Sequence, residues 1–214
     1  MLDTERIGYG LTFDIAKSFG YEMPNDLLLS TIGMSPKRAA EIYKQHFGND
    51  FPADKIMLIK QDRAEQNLLK NGVPIKKGLV ELLDLLEMQR IKKVVATSSY
   101  RKTAKSILAK AGILEKLDAI VCGDEVCESK PNPAIFLRAK ETLNLPADEL
   151  LILEDSRMGV LAAHKAGIKS IMIPDLVMPD ELSRKLYFKE FSSLIEFKEY
   201  LSQLILNDAV VRIS

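Results

Sequence analysis

The sequence has 214 residues, 47% of them hydrophobic and 28% charged, and its 30 basic and 30 acidic side chains cancel. This size and composition are typical of a soluble globular protein with one large domain, or with one domain that carries an insertion. The balanced charge gives no basic footprint for nucleic acid, and no apolar stretch approaches the roughly 18 residues that span a bilayer. We therefore expect no nucleic-acid or membrane partner.

The N-terminus and the cysteine content indicate the compartment and exclude one class of metal site. Residues 1–6 carry acidic groups and no apolar signal core, so we predict a cytoplasmic protein. Cys122 and Cys127 are the only cysteines, and His46 and His164 lie far apart in sequence. These four residues show no zinc-ligand spacing, so we predict free thiols.

The first third of the chain has the pattern of helices without an intervening strand. Proline and serine mark two helix starts, and glycines mark the ends. The predicted helices cover residues 6–19, 35–47 and 52–71.

After Pro74 the pattern changes to short apolar strands that alternate with helices. The predicted strands cover residues 93–97, 119–122, 150–154 and 170–173, with helices between them and after them. Such alternation over about 120 residues indicates a parallel sheet with right-handed crossovers. We therefore predict an α/β fold, a parallel Rossmann-like sheet flanked by helices. Residues 209–213 have a weak strand pattern.

Two adjacent carboxylates follow the apolar strand in the segment LILEDSRMG, residues 151–159. In open α/β sheets, ligands bind outside the carboxyl ends of the strands, so Glu154 and Asp155 are site candidates. Carboxylate oxygens are ligands that Mg²⁺ accepts in proteins. The alternative is that an Asp or Ser here only caps the next helix.

Two further polar groups occupy comparable positions. Thr97, Ser98 and Ser99 follow a strand, and hydroxyl and backbone N–H groups at such a corner are suited to phosphate, although Ser and Thr clusters also form ordinary turns. Lys130 stands before Pro131 in SKPNP, where prolines restrict the loop. A lysine held there would neutralise phosphate oxygens, whereas most lone lysines are solvated surface charges.

The order of hydroxyls, Lys-Pro and Glu-Asp-Ser resembles that of the haloacid dehalogenase-like hydrolase superfamily, in particular the β-phosphoglucomutase-like subgroup with a helical cap. The matching segments are VVATSS, SKPNPAIF and LILEDSRMGVLAAHKAG. The resemblance implies that Thr97 and Ser98 bind the transferring phosphate and that Lys130 bridges phosphate and nucleophile. It also implies that Asp155 binds Mg²⁺, with Glu154 assisting directly or through water.

The resemblance also implies a division into two domains. Residues 5–75 are expected to form an inserted all-helical cap, and residues 1–4 and 76–214 the α/β core. Such a cap closes over the substrate and excludes water.

One part of the family's machinery is missing from this sequence. The family uses an aspartate nucleophile and, two residues later, an acid–base aspartate, both within Asp-x-Asp-Gly-x-x-x-Asp-Thr on the first strand. Asp3-Thr4 aligns with the last Asp-Thr, which places the nucleophile upstream of Met1. We therefore expect the chain as given to be inactive. We also expect its first core strand to be absent, leaving unpaired edges on the strands that end at Thr97 and Glu154.

Two explanations of this gap remain open. The natural protein starts roughly 10 to 20 residues earlier, enough for one strand and its loop, or residues 209–213 of this or a neighbouring chain fill the space.

The implied activity is hydrolysis of a small phosphate monoester, such as a sugar phosphate or a nucleotide, with Mg²⁺ as cofactor. The phosphomutase subgroup has a histidine where this chain has Gly8, and an arginine where Pro36 and Lys37 follow the cap's Gly-x-Ser. These departures favour a phosphatase over a phosphomutase, and Ile32 to Lys37 are the first candidates for substrate contact. The third alternative is an inactive remnant that binds phosphate or Mg²⁺. The sequence does not indicate the oligomeric state.

Overall fold

The computed structural model describes residues 1–207, so the weak strand predicted at residues 209–213 lies outside the described residues. The helices are α1 (Glu5–Ser18), α2 (Asn25–Ser30), α3 (Pro36–Phe47), α4 (Ala53–Asn71), α5 (Leu79–Met88), α6 (Arg101–Lys110), α7 (Ala134–Leu143), α8 (Arg157–Lys165), α9 (Glu181–Arg184) and α10 (Leu194–Leu206). The strands are β1 (Val94–Ala96), β2 (Ala119–Val121), β3 (Leu151–Glu154), β4 (Lys169–Met172) and β5 (Lys189–Glu190).

Helices α1 to α4 form a helical unit, residues 5–71, with a hydrophobic core of its own. Local signals set the ends of α3: the Ser35 hydroxyl accepts a hydrogen bond from the Arg38 N–H, and Gly48 follows with a φ of 97°. Helix α1 packs along α4, and an aromatic cluster fills the space between the helices. Within that cluster, the rings of Phe47 and Phe51 stack 4.6 Å apart.

The remaining helices flank short parallel strands, which confirms the predicted α/β fold. Strand β1 pairs in parallel with β2, and β4 pairs in parallel with both β3 and β5. Side chains of α5, α6 and α10 cover one face of these strands, whereas α7 and α8 cover the other. Strands β1, β2 and β3 lie between these two helical layers, which explains their nearly continuous apolar sequences, whereas β5 at the edge of its sheet consists of Lys189 and Glu190.

The strands form two separate sheets, because β1 and β3 do not pair within residues 1–207. The Thr97 N–H donates to the Val121 carbonyl across 2.9 Å, so the backbone N–H and C=O groups of the odd-numbered residues of β1 point towards β2. Since successive residues of a strand alternate, the backbone groups of Val94 and Ala96 point to the opposite edge.

Strand β3 presents the other side of the same gap. The Ile173 N–H donates to the Glu154 carbonyl across 2.8 Å. Because successive residues alternate, the backbone N–H and C=O groups of Leu151 and Leu153 point away from β4. The Leu153 side chain is 37% exposed although helices cover both faces of its sheet. A cavity of about 760 Å³ extends from this gap to the helical unit and is lined by residues of both β1 and β3.

The two chain segments that connect the helical unit to the rest lie side by side. Leu2 and Ile75 form an antiparallel bridge, and hydrogen bonds of 2.9 Å run from the Asp3 N–H to the Pro74 carbonyl and from the Lys76 N–H to the Met1 carbonyl. Among residues 1–207, no helix is both long enough and apolar enough to cross a membrane.

Candidate active site

Polar side chains predicted from the sequence meet where the cavity reaches the carboxyl ends of β1 and β3. Thr97 follows β1, and its hydroxyl accepts a hydrogen bond from the Ser99 N–H at 3.2 Å. The Ser98 hydroxyl donates to the Gly33 carbonyl at 3.4 Å, which connects this corner to the helical unit. Thr97 and Ser98 line the same cavity as Lys130 and Asp155, so the structure brings these predicted residues together.

Lys130 and Glu154 form a buried ion pair beneath this cavity. Their side chains are only 8% and 7% exposed, and the Lys130 ammonium donates to one oxygen of Glu154. The ammonium also lies 4.8 Å from the centre of the Phe136 ring. A lysine held in this way has one fixed position, unlike a solvated surface lysine.

The second carboxylate oxygen of Glu154 is also engaged. It accepts hydrogen bonds from the Asp155 N–H at 3.2 Å, the Ser156 N–H at 3.4 Å and the Ser156 hydroxyl at 3.1 Å. Helix α8 passes so close that a Cβ on Gly159 would lie 1.9 Å from the Glu154 carboxyl carbon. Both oxygens of Glu154 are therefore occupied by protein donors.

Asp155 has the opposite character. Its half-buried carboxylate accepts no hydrogen bond within residues 1–207. Burial, together with the negative charge of Glu154, raises the pKa of Asp155. A carboxylate so placed is stabilised by an added cation, and hard oxygen donors of this kind fit Mg²⁺. The donor set thus fits the metal through Asp155 first, with Glu154 beside it.

Sequence reasoning missed a second, half-buried ion pair next to these groups. The Lys76 ammonium lies 2.8 Å from Asp175, and the two side chains are 17% and 11% exposed. Asp175 stands three residues after β4, at the same edge as the other strand ends. Ligands of open α/β sheets bind at the carboxyl ends of the strands, and this rule, which selected Glu154, could also have selected Asp175. No sequence pattern marks Lys76.

The segment Ile32 to Lys37, predicted for substrate contact, reaches this edge through Gly33. Gly33 has a φ of 78°, and a Cβ there would lie 2.6 Å from the Ser156 hydroxyl. Only a glycine therefore permits this approach without displacing Ser156. Farther along the same interface, the Gln61 amide donates to the Thr103 hydroxyl at 3.3 Å.

Two charged residues of the helical unit, Glu5 and Lys60, line the opposite wall of the cavity. Burial is the main cause of two shifts: it raises the pKa of Glu5 and lowers that of Lys60. Each residue partly opposes the other's shift through its charge. Neither residue belongs to a motif, so no sequence pattern marks them as site residues.

Neither cysteine is among the described residues that line the cavity, and both thiols are free, as predicted. Cys122 is buried, and burial raises the pKa of its thiol to about 11. Asp124 and Glu125 lie near it, but Glu125 already pairs with Arg101 at 2.5 Å. A protonated thiol beside an occupied carboxylate is a poor metal site.

Comparison with known proteins assigns the family. The model of the haloacid dehalogenase-like hydrolase family matches residues 1–173. The chain belongs to this family. A phosphorylated carbohydrates phosphatase of Thermotoga maritima is 29% identical over 174 residues, covering 80% of this chain and 79% of the relative.

Solved structures show the same fold. A β-phosphoglucomutase from Clostridium difficile superimposes with a TM-score of 0.80 and 22% identity, over 99% of this chain and 95% of that one. CbbY from Rhodobacter sphaeroides, solved in complex with phosphate, gives a TM-score of 0.77 and 23% identity, over 92% and 91% of the two chains. The β-phosphoglucomutase-like architecture is thereby confirmed, and the homologues are phosphatases and phosphomutases.

Proposed function

We propose that this protein is a magnesium-dependent phosphatase of small phosphate monoesters, sugar phosphates or nucleotides, which acts through an aspartyl-phosphate. One observation carries the proposal: Thr97, Lys130 and Asp155 meet at the carboxyl edge, on both sides of the gap between β1 and β3. A hydroxyl, a fixed ammonium and a free carboxylate at one edge provide phosphate binding and metal binding in one place.

Each residue has a distinct task in this proposal. The Thr97 hydroxyl donates a hydrogen bond to the transferring phosphate, and the Ser98 hydroxyl does so once it leaves the Gly33 carbonyl. The Lys130 ammonium neutralises the phosphate oxygens. Asp155 holds Mg²⁺, and Glu154 fixes Lys130 while contributing negative charge beside the metal. The bound ion supplies Lewis-acid chemistry and neutralises charge on the phosphate.

The nucleophile is a carboxylate that the family places on a strand ahead of Met1. In the first step its oxygen attacks phosphorus, the bond from phosphorus to the ester oxygen breaks, and a second carboxyl group gives that oxygen a proton. In the second step water attacks the phosphorus of the acyl phosphate, and the same carboxylate accepts the water's proton. Phosphate leaves and the nucleophile is restored.

The gap in the sheet supports the position of that strand. The backbone groups of Val94 and Ala96 on one side, and of Leu151 and Leu153 on the other, point into the gap, where a parallel strand would pair with both edges. The carboxyl end of such a strand would lie between Thr97 and Asp155. We propose that residues 5–75 act as the cap that closes this site to bulk water.

The test compares the chain as given with a form extended along its native upstream reading frame. Phosphate release is measured with sugar phosphates and nucleotides, with and without Mg²⁺. We expect the extended form to release phosphate only with Mg²⁺, and the chain as given to bind inorganic phosphate without turnover. The variant Asp155→Asn of the extended form is the metal control.

Two outcomes would replace the proposal by its alternatives. Transfer of phosphate between sugar hydroxyls faster than to water would make the protein a phosphomutase. An upstream reading frame without an aspartate on an apolar strand, or an extended form that binds phosphate without turnover, would make it a binding module.

A further inference from the structure

The ion pair of Lys76 and Asp175 lies beside the candidate metal ligand, yet neither residue has a task in the proposed function. Lys76 belongs to the segment that follows the helical unit, and its N–H donates to the Met1 carbonyl across 2.9 Å, which fixes its backbone. Asp175 belongs to the loop after β4, the strand next to β3. Because the carboxyl ends of parallel strands share one edge, Asp175 and Asp155 stand at the same edge of the sheet.

The Asp175 carboxylate depends on Lys76 for its pairing. Its Oδ2 atom is buried and lies 2.8 Å from the Lys76 ammonium, and no other donor in the described part of the chain reaches this side chain. Loss of the ammonium would leave a carboxylate that is only 11% exposed without a partner, which is costly. The ammonium is therefore held at Asp175.

Asp155 is a second carboxylate within the electrostatic range of the same ammonium. Burial is the main cause of the raised pKa of Asp155, and Lys76 is one of the cations whose charge opposes it. Nevertheless, Lys76 and Asp155 form no ion pair within 4 Å among residues 1–207. A lysine side chain has a flexible stem of four carbons, so an ammonium released from Asp175 would move to Asp155 without a change in the backbone.

We propose that Asp175 is a positioning residue, which holds the Lys76 ammonium away from Asp155 and so keeps that carboxylate open for Mg²⁺. This inference rests on the proposed function and adds a residue that acts on its metal site through Lys76. An ammonium paired with Asp155 would occupy the carboxylate oxygens and place a positive charge where the cation binds. Both effects oppose metal binding.

Magnesium binding tests this without turnover, so the chain as given serves. The dissociation constant of Mg²⁺ alone is measured by calorimetry for wild type and for Asp175→Asn. We expect the asparagine variant to bind Mg²⁺ at least about tenfold more weakly, because an opposite charge within about 4–6 Å changes the protonation equilibrium of a carboxylate by roughly ten- to thousandfold. Asp84→Asn, which removes a carboxylate from an exposed ion pair with Lys116, is the matched control and should bind like wild type.

A double-mutant cycle separates the holding of Lys76 from a general loss of negative charge. Lys76→Met should tighten Mg²⁺ binding at least about tenfold in the Asp175→Asn background but less than about threefold in wild type, because Lys76 reaches Asp155 only when Asp175 is neutral. A long-range effect of charge alone would give the same factor in both backgrounds. The Met1 ammonium also acts on Asp155, but it is common to all four proteins. Asp175→Glu, which keeps the charge, should restore most of the affinity.

Each contrary result has a defined meaning. Equal Mg²⁺ affinities of wild type and a folded Asp175→Asn protein, or equal factors for Lys76→Met in the two backgrounds, overturn the inference, while Mg²⁺ binding by wild type leaves the proposed function standing. A wild type that binds no Mg²⁺, either as given or in the upstream-extended form, overturns the magnesium dependence of the proposed function and this inference with it. Asp175→Ser repeats the comparison if the asparagine variant does not fold.

Discussion

The helical unit and the α/β unit of residues 76–207 differ in how their backbone hydrogen bonds are formed. The backbone hydrogen bonds within α1, α3 and α4 join residues close in sequence, and the helical unit's core is closed, with Ile15, Tyr43 and Phe51 each 1% exposed. The α/β unit depends on pairing between distant strands, and its sheet is interrupted between β1 and β3. The interruption leaves the side chain of Leu153 partly exposed in the middle of the fold.

The difference shows what each architecture requires from the chain. A helix satisfies its backbone from within, so a helical unit needs only an apolar face to bury. A strand is satisfied by its neighbours, so one unfilled place leaves two edges unpaired. We therefore expect the helical unit to be the more stable part of this chain, and the edge that carries the candidate active site to be the less stable part.

The largest expected effect is in the aromatic core of the helical unit. Phe51→Ala removes a ring that stacks on Phe47 and meets Tyr21 edge to face at 4.7 Å, and should cost about 3–5 kcal/mol of unfolding free energy. Urea unfolding combined with hydrogen exchange of the helical unit's amides measures this loss. Phe13→Ala, at a side chain that is 44% exposed, is the control; equal losses for both would refute a closed core.

The buried ion pair of the candidate site should give the next largest effect. Lys130→Met leaves Glu154 charged without its cation and should cost about 3 kcal/mol. The double variant Lys130→Met with Glu154→Leu should recover much of this loss, since no buried charge is left alone. Arg138→Met, which breaks an exposed pair, should cost about 0.5 kcal/mol. A Lys130 loss no larger than that would mean that the pair is solvated.

Truncating two residues that are paired across β3 and β4 tests whether the space between β1 and β3 is empty. Ile171 and Leu153 are partners across β4 and β3, but Ile171 is only 1% exposed. Ile171→Ala should cost about 2–5 kcal/mol, whereas Leu153→Ala should cost less than about 1 kcal/mol. The upstream-extended form should raise the Leu153 value towards that of Ile171. Equal losses in the chain as given would show that the gap is filled.

The smallest expected effect is a gain from Asp155→Asn. The native pKa of Asp155 is raised above its unfolded value of about 3.9, so the folded state binds more protons than the unfolded state between the two values. Wild type therefore loses stability as the pH rises through that interval. The uncharged variant should unfold about 2–4 °C higher at pH 7, corresponding to about 1 kcal/mol, without this advantage at pH 3.

Magnesium provides the control for this last prediction. It should raise the unfolding temperature of wild type at pH 7 and leave that of Asp155→Asn unchanged, because the variant lacks the proposed ligand. A lower unfolding temperature for the variant without metal would mean that the Asp155 carboxylate stabilises the native state through a contact.

Most of the fold followed from local sequence signals. Pro36 and Gly48 mark α3 within a residue of its observed ends. The four predicted strands are present: β1, β2 and β3 are shorter than predicted by one or two residues, and β4 is shifted by one residue. The six residues of α2 are too few to show a helical period, and β5 consists of two charged residues, Lys189–Glu190, so neither was predicted. Their structure depends on packing against neighbours that are distant in sequence.

The predicted site residues follow strands, whereas Glu5 and Lys60, which were not predicted, lie on helices. Thr97 and Asp155 follow strands, whose carboxyl ends must meet at one edge of a parallel sheet. Glu5 and Lys60 come from helices, and only the packing of α1 on α4 turns them towards the cavity. The pairing of Glu154 with Lys130 was also beyond prediction, because it depends on where the loop before α7 crosses β3.

The antiparallel bridge between Leu2 and Ile75 has a mechanical consequence. Because the two connecting segments are joined to each other, they form a single rotation axis rather than two independent tethers. A rotation about this axis would separate Gly33 from Ser98 and Gln61 from Thr103, the hydrogen-bonded pairs that join the two units, without breaking a hydrogen bond inside either unit. One angle would therefore set both the width of the cavity between the two units and the distance from Lys60 to Asp155 across it.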